Sequence, residues 1–575
     1  MGAGRIAISE RQQIRFCRDS EAAGLLEDPA FGLAWDELAA ACPWATAAQS
    51  RLYAGVWYGV YSQVFELMLV YRRAETGALS GLLALARHRQ DGRLTLVGDL
   101  QGEYKTWLAR PDDGDGFIED AMDELARQLP GGRLCFQYLP AGAPLGWLSP
   151  GRRWASRTRL VRCDRPLMWL GEGSTVAESL AKKGNKSRLA RLARIGPLEL
   201  EVFASRQALE PCCDELISYY DLRQEAVNQC APFREDPLKR EFYLRLQDHP
   251  DLLHGSVLRA GAHIIAAHFG LRNRDSVQFG IVIHSPFLAS HSPGKWITLK
   301  LGQQLAAEGY AYLDLTPGGD QYKTRFASHT TQVHVLTVFF HAAQARRAAL
   351  RSAAVRLVKK ALPRLGVTSQ RARALAAACT GGRLWRRASR WLWDSHDVLY
   401  FALARPAAPV AAPDPPLHRD AIADMLLYEP SGAAASSRAE FLSTTLSRLE
   451  GGAHVYSATA GRTLLHHAWL DRINGDPPNS LLLWDDCTHP ATPPGPLYQA
   501  ALSQRLSDAA VMEDIEWVFL AAPSGDRITL RHIAAAGFES CGRLVRQTRF
   551  GRRRQRWAPA RQSSLRGVPC PSCTK

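Results

Sequence analysis

The chain has 575 residues, too many for one compact core, and its 46% hydrophobic and 22% charged residues are typical of a globular protein. Its net charge of +15 favours anionic partners, such as a phosphorylated co-substrate, nucleic acid, an acidic glycan or a membrane surface, without choosing among them. No apolar run predicts a membrane span, Met1 to Arg18 lacks a signal-peptide pattern, and 12 scattered cysteines favour a reduced, cytoplasmic setting.

Three sets of β-strands, each separated by turn residues, recur along the chain and indicate an internal repeat. Glycine and asparagine lie between the strands, as in Ala260-Gly261 and Asn474-Gly475-Asp476. The predicted strands are 64–72, 78–87 and 93–97 in the first set, 253–259, 262–271 and 276–283 in the second, and 453–458, 462–470 and 481–484 in the third.

The second and third sets continue alike, with a helix and then a buried strand. Ile297, Leu301 and Leu305 form one apolar stripe, which predicts a helix over 294–309 that ends at Gly309. The third set predicts a helix over 497–510 and a strand over 515–520. Antiparallel strands followed by a helix and a strand predict an α+β fold with mixed sheets flanked by helices.

Ser292-Pro293-Gly294-Lys295 comes directly before the first of these helices. A small-residue loop at a helix N-terminus presents unpaired amide N–H groups to a phosphate, and a lysine adds positive charge. The alternative is an ordinary helix cap, because serine followed by proline is a common helix start. The loop is therefore a candidate phosphate site.

Four motifs are grouped in the middle of the chain: the basic stretch Ser179–Arg188, the hairpin Arg259-Ala260-Gly261 with Ile264, the Ser292-Pro293-Gly294 loop, and Asp314-Leu315 with Gly318-Gly319 and Tyr322-Lys323. Together they resemble the motifs of the BioF2-like, CelD-type acetyltransferases of the GNAT superfamily, which are relatives of the FemAB group. The resemblance covers about Pro166 to Phe340. It implies tandem GNAT-like sheets and an acetyl-CoA-dependent N- or O-acetyltransferase, acting on a sugar or polysaccharide precursor.

The resemblance and the composition of the remaining segments together predict a domain order. It comprises a CoA-free N-terminal half (20–165), an acetyltransferase domain (166–340), a basic helical connector (341–405), a degenerate C-terminal GNAT-like domain (417–555) and a disordered basic tail (556–575). The C-terminal domain is called degenerate because its loop Ala491–Pro496 has no basic residue, and its prolines lack N–H donors.

Site residues follow from the resemblance and from residue chemistry. Ser292, Pro293, Gly294 and Lys295 would bind the acyl-CoA pyrophosphate, and Tyr322 would protonate the departing thiolate. Asp314 and His284 are alternative general bases, with Glu225 a third, and Lys323 would stabilise negative charge or bind an acidic acceptor. Together with Lys323, the predicted acceptor-binding residues are Lys183, Arg188, Arg191 and Arg223. The alternative for the basic helix is a solvated surface.

No metal site is expected, because His466-His467, Asp485-Asp486 and His489 lack a known ligand spacing. No DNA partner is expected either, whereas the basic helices predicted within 346–390 are candidates for contact with a membrane surface or a polyanion. Two other functions stay open: FemAB-like aminoacyl transfer from charged tRNA, and a non-catalytic GNAT scaffold that binds anionic polymer.

Overall fold

A computed structural model describes residues 13–318, 321–364, 393–404, 417–431, 436–473, 477–493, 495–524, 527–549 and 552–560. The chain divides into two compact units. The first unit comprises residues 1–216, 236–284 and 291–359, and the second comprises 217–235, 285–290 and 360–575. Helices and mixed sheets occur in both, which confirms the predicted α+β class.

The N-terminal part of the first unit is a sheet covered by helices. In α4 (Gly114–Gln128), Phe117, Ala121 and Leu125 are fully buried at helical spacing, which explains why this amphipathic segment packs as a helix. The other elements are β1 (Arg15–Arg18), α1 (Asp19–Glu27), α2 (Pro29–Ala41), α3 (Arg51–Tyr61), β2 (Phe65–Arg73), β3 (Leu79–His88), β4 (Leu94–Leu96), β5 (Leu108–Ala109), β6 (Arg133–Leu139) and β7 (Thr158–Trp169).

The middle of the chain contains the second predicted strand set and the predicted helix and strand after it. Its elements are α5 (Thr175–Ala181), α6 (Lys183–Ala193), β8 (Leu198–Val202), α7 (Arg206–Asn228), α8 (Pro232–Glu235), α9 (Leu238–Gln247), β9 (Leu253–Ala260), β10 (His263–Leu271), β11 (Ser276–Gln278), β12 (Ile281–His284), α10 (Pro293–Ala307), β13 (Tyr312–Asp314), α11 (Gln321–Phe326), β14 (His329–Phe339) and α12 (Ala342–Arg364).

Three sheets build the first unit. Their strand orders are β1-β2-β3-β4 with β5 beside β3, then β12-β10-β9-β8, and then β11-β13-β7-β14-β6. The third sheet contains strands from the predicted N-terminal half and from the predicted acetyltransferase domain. The predicted boundary between residues 165 and 166 falls inside β7, so the two share this sheet.

The second unit is built on one eight-stranded sheet, in the order β16-β17-β18-β19-β20-β15-β21-β22. Its elements are β15 (Trp393–Ala404), β16 (His418–Arg419), α13 (Ile422–Met425), α14 (Arg438–Glu450), β17 (His454–Ala460), β18 (Thr463–Ile473), β19 (Ser480–Thr488), α15 (Pro496–Ala510), β20 (Trp517–Pro523), α16 (Arg527–Ala535), β21 (Glu539–Arg549) and β22 (Arg552–Pro559).

The predicted connector and tail need correction. α12 confirms a basic helix up to Arg364, and residues 365–392 lie outside the described residues. Residues 393–404 form β15 rather than a helix, because their apolar stretch pairs with both β20 and β21. Residues 556–559 belong to β22, and 561–575 lie outside the described residues. Within the described part of the chain, no helix is both long and apolar enough to span a bilayer.

Candidate functional site

β11 and β12 follow each other along the chain but belong to different sheets. β11 pairs in parallel with β13, where Gln278 lies opposite Asp314, whereas β12 pairs antiparallel with β10. The pairing of β11 with β13 ends at Phe279, whose N–H donates to the carbonyl of Asp314 at 2.7 Å. Beyond Asp314 the two chain segments separate, so the side of β12 opposite β10 has no strand partner among the described strands. Such an edge can bind an extended ligand that carries amide groups.

The N-terminus of α10 lies against the end of β12. A Cβ atom at Gly294 would lie 2.7 Å from Nε2 of His284, so a larger residue at this position requires the imidazole ring to move. Ser292 is in the left-handed conformation, φ 60°, and its side chain does not cap the helix. Ser292 is the N-cap residue and Pro293 begins the first turn, as the ordinary-cap alternative expects, but the serine side chain does not supply the capping hydrogen bond. A strained non-glycine residue is common at functional loops.

The amide donors of this turn are fewer than predicted. Pro293 has no N–H, and the N–H of Lys295 donates to the carbonyl of Ser292 at 3.0 Å. Gly294 therefore supplies the amide of this turn that suits an anion.

Three cations surround the same helix start. Nζ of Lys295 donates to Oδ1 of Asn185 at 2.6 Å, which ties α10 to α6. The pKa of Lys295 is lowered, first by burial and then by the charges of Arg188 and Lys182. The hydrogen bond between Lys295 and Asn185 therefore brings the basic helix α6 beside the predicted phosphate loop.

Most of the basic residues on α6 point to solvent. Lys183, Arg188 and Arg191 are exposed, and in the described part of the chain none of the three forms an ion pair. Lys182 by contrast lies 3.7 Å from Glu178. Uncompensated cations beside a helix N-terminus favour an anionic ligand over a purely structural role.

Asp314 ends β13 and is fully buried. Its Oδ2 accepts hydrogen bonds from Tyr104 at 2.6 Å and from Nη2 and Nε of Arg165 at 2.8 and 3.0 Å. Its Oδ1 accepts from the N–H of Thr316 at 2.9 Å. Because both oxygens are occupied, this geometry suits a residue that fixes the strand end better than one that accepts a substrate proton.

Lys323 lies beside the same strand end. It is 7% exposed, and its Nζ lies 3.2 Å from both the carbonyl and the hydroxyl of Thr316. Tyr322 precedes it in α11, but its side chain lies outside the described residues, as do Gly319 and Asp320. The role of Tyr322 stays a prediction.

Arg223 and Glu225 belong to the second unit. Arg223 pairs with Glu450 at 3.3 Å, and Glu225 accepts from Nε of Arg438 at 2.5 Å. Of the predicted acceptor-binding residues on helices α6 and α7, the first unit therefore contains Lys183, Arg188 and Arg191, whereas the second contains Arg223. Sequence position on α7 gave no signal of this division.

Sequence reasoning missed a group of ionisable residues that includes Glu103, Lys105 and Lys239. Burial raises the pKa of Glu103, the charge of Lys323 lowers it, and Asp314 raises it again. Lys105 and Lys239 also act on Glu103, and their side chains are 6% and 9% exposed. The segment from Gln101 to Lys105 resembles an ordinary polar loop, so only the fold shows that it belongs to this site.

The second unit repeats the separation of parallel strands. β19 pairs with β20 only from Ser480 to Leu483, while its later residues continue beside β18. There the fully buried Arg505 forms an ion pair with Asp486, Nη1 to Oδ2 at 3.1 Å. Pro494, in the loop predicted to be degenerate, lies outside the described residues. Within the described residues no cluster of histidine, cysteine, aspartate and glutamate could hold a metal.

Residues 181–324 match the family model described as Acetyltransferase (GNAT) domain. The match spans α6, the loop before α10 and Lys323, and it indicates a GNAT-type acyltransferase domain. It does not test the finer BioF2-like, CelD-type assignment. Comparison with curated proteins gives no match.

Similar solved structures include a conserved protein of unknown function from Bacteroides thetaiotaomicron, with 12% identity, 54% of this chain and 97% of that chain covered, and a TM-score of 0.37. The C-terminal domain of a putative lysylphosphatidylglycerol synthetase from Agrobacterium fabrum has 14% identity, 58% and 96% coverage, and a TM-score of 0.36. FemX has 8% identity, 53% and 95% coverage, and a TM-score of 0.37. Similarity this low assigns no acyl donor or acceptor to this chain.

Proposed function

We propose that the first unit is an acyl-CoA-dependent N- or O-acetyltransferase of the BioF2-like, CelD type, acting in the cytoplasm on a sugar or polysaccharide precursor. The observation that carries the proposal is the separation of β12 from β13 beside the N-terminus of α10. It combines an unpaired strand edge with an anion-binding helix start.

Acetyl-CoA fits this arrangement in two parts. Its phosphates are suited to the amide of Gly294 and to the cations Lys295, Arg188 and Lys182. Its pantetheine arm is an extended chain with two amides, which are suited to the open edge of β12. The thioester would then lie toward the end of β13, where Asp314 and Lys323 meet.

The residues at this strand end have distinct roles in the proposal. Asp314, fixed by Arg165 and Tyr104, holds the loop that follows β13 in one conformation. Lys323 provides a nearly buried positive charge that favours negative charge developing on the substrate. His284 stands at the start of α10 as one candidate base, and Tyr322 is the proposed proton donor to the thiolate.

Titration of the full chain with acetyl-CoA by calorimetry tests the proposal. We expect saturable binding that weakens with salt, together with thiol release when an acceptor such as D-glucosamine is added. Absence of both acetyl-CoA binding and thiol release in the wild-type chain would contradict the proposal.

The uncompensated cations of α6 support a second candidate, aminoacyl transfer from charged tRNA. In that case, tRNA would bind with strong salt dependence and acetyl-CoA would not bind. Binding of an anionic polymer without either ligand would instead support a non-catalytic scaffold.

We further propose that α12 contacts an anionic membrane surface or polyanion. Arg346, Arg347 and Arg351 are exposed on it, and Leu350 and Val355 are 71% and 53% exposed. Sedimentation with vesicles containing phosphatidylserine, compared with neutral vesicles, tests this contact. Equal binding to both would contradict an electrostatic contact.

A further inference from the structure

Glu103 lies on the segment between β4 and β5, and on its N-terminal side the N–H of Gly102 donates to the carbonyl of Gly98 at 3.0 Å. The hydroxyl of Tyr104 donates to Asp314 at 2.6 Å, and the Tyr104 carbonyl accepts from Nε2 of Gln49 at 3.0 Å. Nζ of Lys105 donates to the carbonyl of Asp99. Hydrogen bonds therefore hold the chain on both sides of Glu103, and Tyr104 connects this segment to the end of β13.

The carboxylate of Glu103 differs from the other acidic groups of this cluster. Asp314 is paired with Arg165, and Asp99 is paired with Arg93 at 2.7 Å. Glu103 is half-buried, and within the described residues it forms neither a hydrogen bond nor an ion pair. Burying a carboxylate without a hydrogen-bond or ion-pair partner costs free energy, and such groups concentrate at functional sites.

The surroundings of Glu103 raise its pKa above that of an ordinary glutamate. Burial raises its pKa, and Asp314 adds to that rise. The charges of Lys323, Lys105 and Lys239 oppose that rise. A carboxylate with a raised pKa is a stronger base at neutral pH than an ordinary glutamate.

We propose that Glu103 is the general base that takes the proton from the acyl acceptor. This inference rests on the proposed acetyltransferase function of the first unit. It assigns a catalytic residue to the N-terminal part of the chain, which was predicted from the sequence to be a CoA-free half. Glu103 also replaces Asp314 as the proposed general base, because both carboxylate oxygens of Asp314 already accept hydrogen bonds.

The proposed step transfers one acetyl group to the acceptor and one proton to Glu103. The acceptor nitrogen or oxygen forms a bond to the thioester carbonyl carbon, and Glu103 accepts the proton that this nitrogen or oxygen loses. The carbon–sulfur bond breaks and its electron pair leaves with the CoA thiolate, which takes up a proton. Glu103 then returns its proton to solvent, and the products are the acylated acceptor and free CoA.

The test compares E103Q and E103D with E75Q, which changes an exposed glutamate of the same unit. Thiol release from acetyl-CoA is measured with water alone, with D-glucosamine, and with hydroxylamine, a nucleophile that is unprotonated at neutral pH. Calorimetry measures the Kd for acetyl-CoA in each variant, and a thermal melt checks folding.

We expect E103Q to lower the rates with water and with D-glucosamine by roughly 10²-fold or more, and the rate with hydroxylamine by less than about tenfold. The Kd for acetyl-CoA should change less than about twofold, because Glu103 is not a phosphate ligand. E103D should keep part of the activity and the acid limb of the pH–rate profile, which E103Q should lose.

Three outcomes would overturn the inference. If E103Q keeps the wild-type rates and the acid limb, Glu103 is not the base, while the proposed acetyltransferase function still stands. If E103Q lowers all three rates equally, its role is structural. If the wild-type chain neither binds acetyl-CoA nor releases thiol, the proposed function fails, and the role of Glu103 fails with it.

Discussion

Arg165 donates two hydrogen bonds to a single oxygen of Asp314, from Nη2 at 2.8 Å and from Nε at 3.0 Å. Asp314 is fully buried and the Arg165 side chain is 21% exposed. The pair joins β7, which precedes the matched GNAT segment, to β13 inside it.

Breaking this pair should destabilise the first unit strongly. Asp314→Asn leaves a guanidinium without its carboxylate, and we expect a loss of about 3–5 kcal/mol in unfolding free energy. Denaturant unfolding measures it. The control is Glu201→Gln, which removes the exposed partner of Arg259 and should cost less than about 1 kcal/mol. Similar losses in both variants would show that the buried pair has no special role.

A methyl group at Gly294 should disturb the proposed phosphate site. Gly294→Ala places Cβ 2.7 Å from Nε2 of His284, and we expect acetyl-CoA binding to weaken at least about tenfold as the helix start shifts. The double variant with His284→Ala should recover part of that loss, because the smaller side chain leaves room. Gly55→Ala, where nothing lies within 4 Å, is the matched control. Unchanged binding in Gly294→Ala would remove this loop from the site.

The cations at the start of α10 should contribute to binding individually. Lys295→Met and Arg188→Met should each raise the Kd for acetyl-CoA roughly tenfold, or about 1.4 kcal/mol, and should reduce its dependence on salt. Arg194→Met, at the other end of α6, should change it little. Calorimetry at two ionic strengths distinguishes these variants. An equal effect of all three substitutions would indicate general electrostatic attraction by the positively charged chain rather than a localised phosphate site.

Two buried histidines should make the first unit sensitive to acid. Burial lowers the pKa of His254 to about 4, with Arg272 adding to the effect, and it lowers the pKa of His268 to about 3. Both stay neutral in the fold, whereas the unfolded chain protonates them below its ordinary pKa of 6.5. The contribution of these two histidines to the free energy of unfolding is therefore fully present above pH 6.5, and it is lost as the pH falls toward 3–4.

At pH 5 each of these histidines should cost about 2 kcal/mol of unfolding free energy relative to neutral pH. Unfolding of the wild-type chain and of His254→Gln/His268→Gln, at pH 7.5 and pH 5, measures the difference. His263→Gln, on an exposed position of the same strand as His268, should behave like the wild-type chain. If the double variant shows the same pH dependence as the wild-type chain, other groups cause the acid sensitivity.

The local patterns of the sequence were sufficient to predict several elements. Turn residues between apolar runs predicted the hairpins that became β2–β3, β9–β10 and β17–β18. The stripe of Ile297, Leu301 and Leu305 predicted α10, and all three side chains are fully buried. These features depend on contacts between residues that are close in sequence, so periodicity and turn chemistry are enough to indicate them.

β7 and β15 could not be placed from the sequence. Each precedes its strand set along the chain, yet β7 lies between β13 and β14, and β15 lies between β20 and β21. Such pairings depend on long-range closure rather than on local pattern. For this reason the sequence placed a domain boundary inside β7 and assigned 393–404 to a helical connector.

The sequence by itself determined where the helix start with Gly294 and Lys295 lies, and that basic residues of α6 precede it. Only the tertiary structure showed that Lys295 contacts Asn185 of α6, that Arg165 occupies the carboxylate of Asp314, and that the charge of Lys323 acts on the pKa of Glu103. Motifs record residue types at fixed spacings, but the availability of a carboxylate depends on which distant side chains the fold brings beside it.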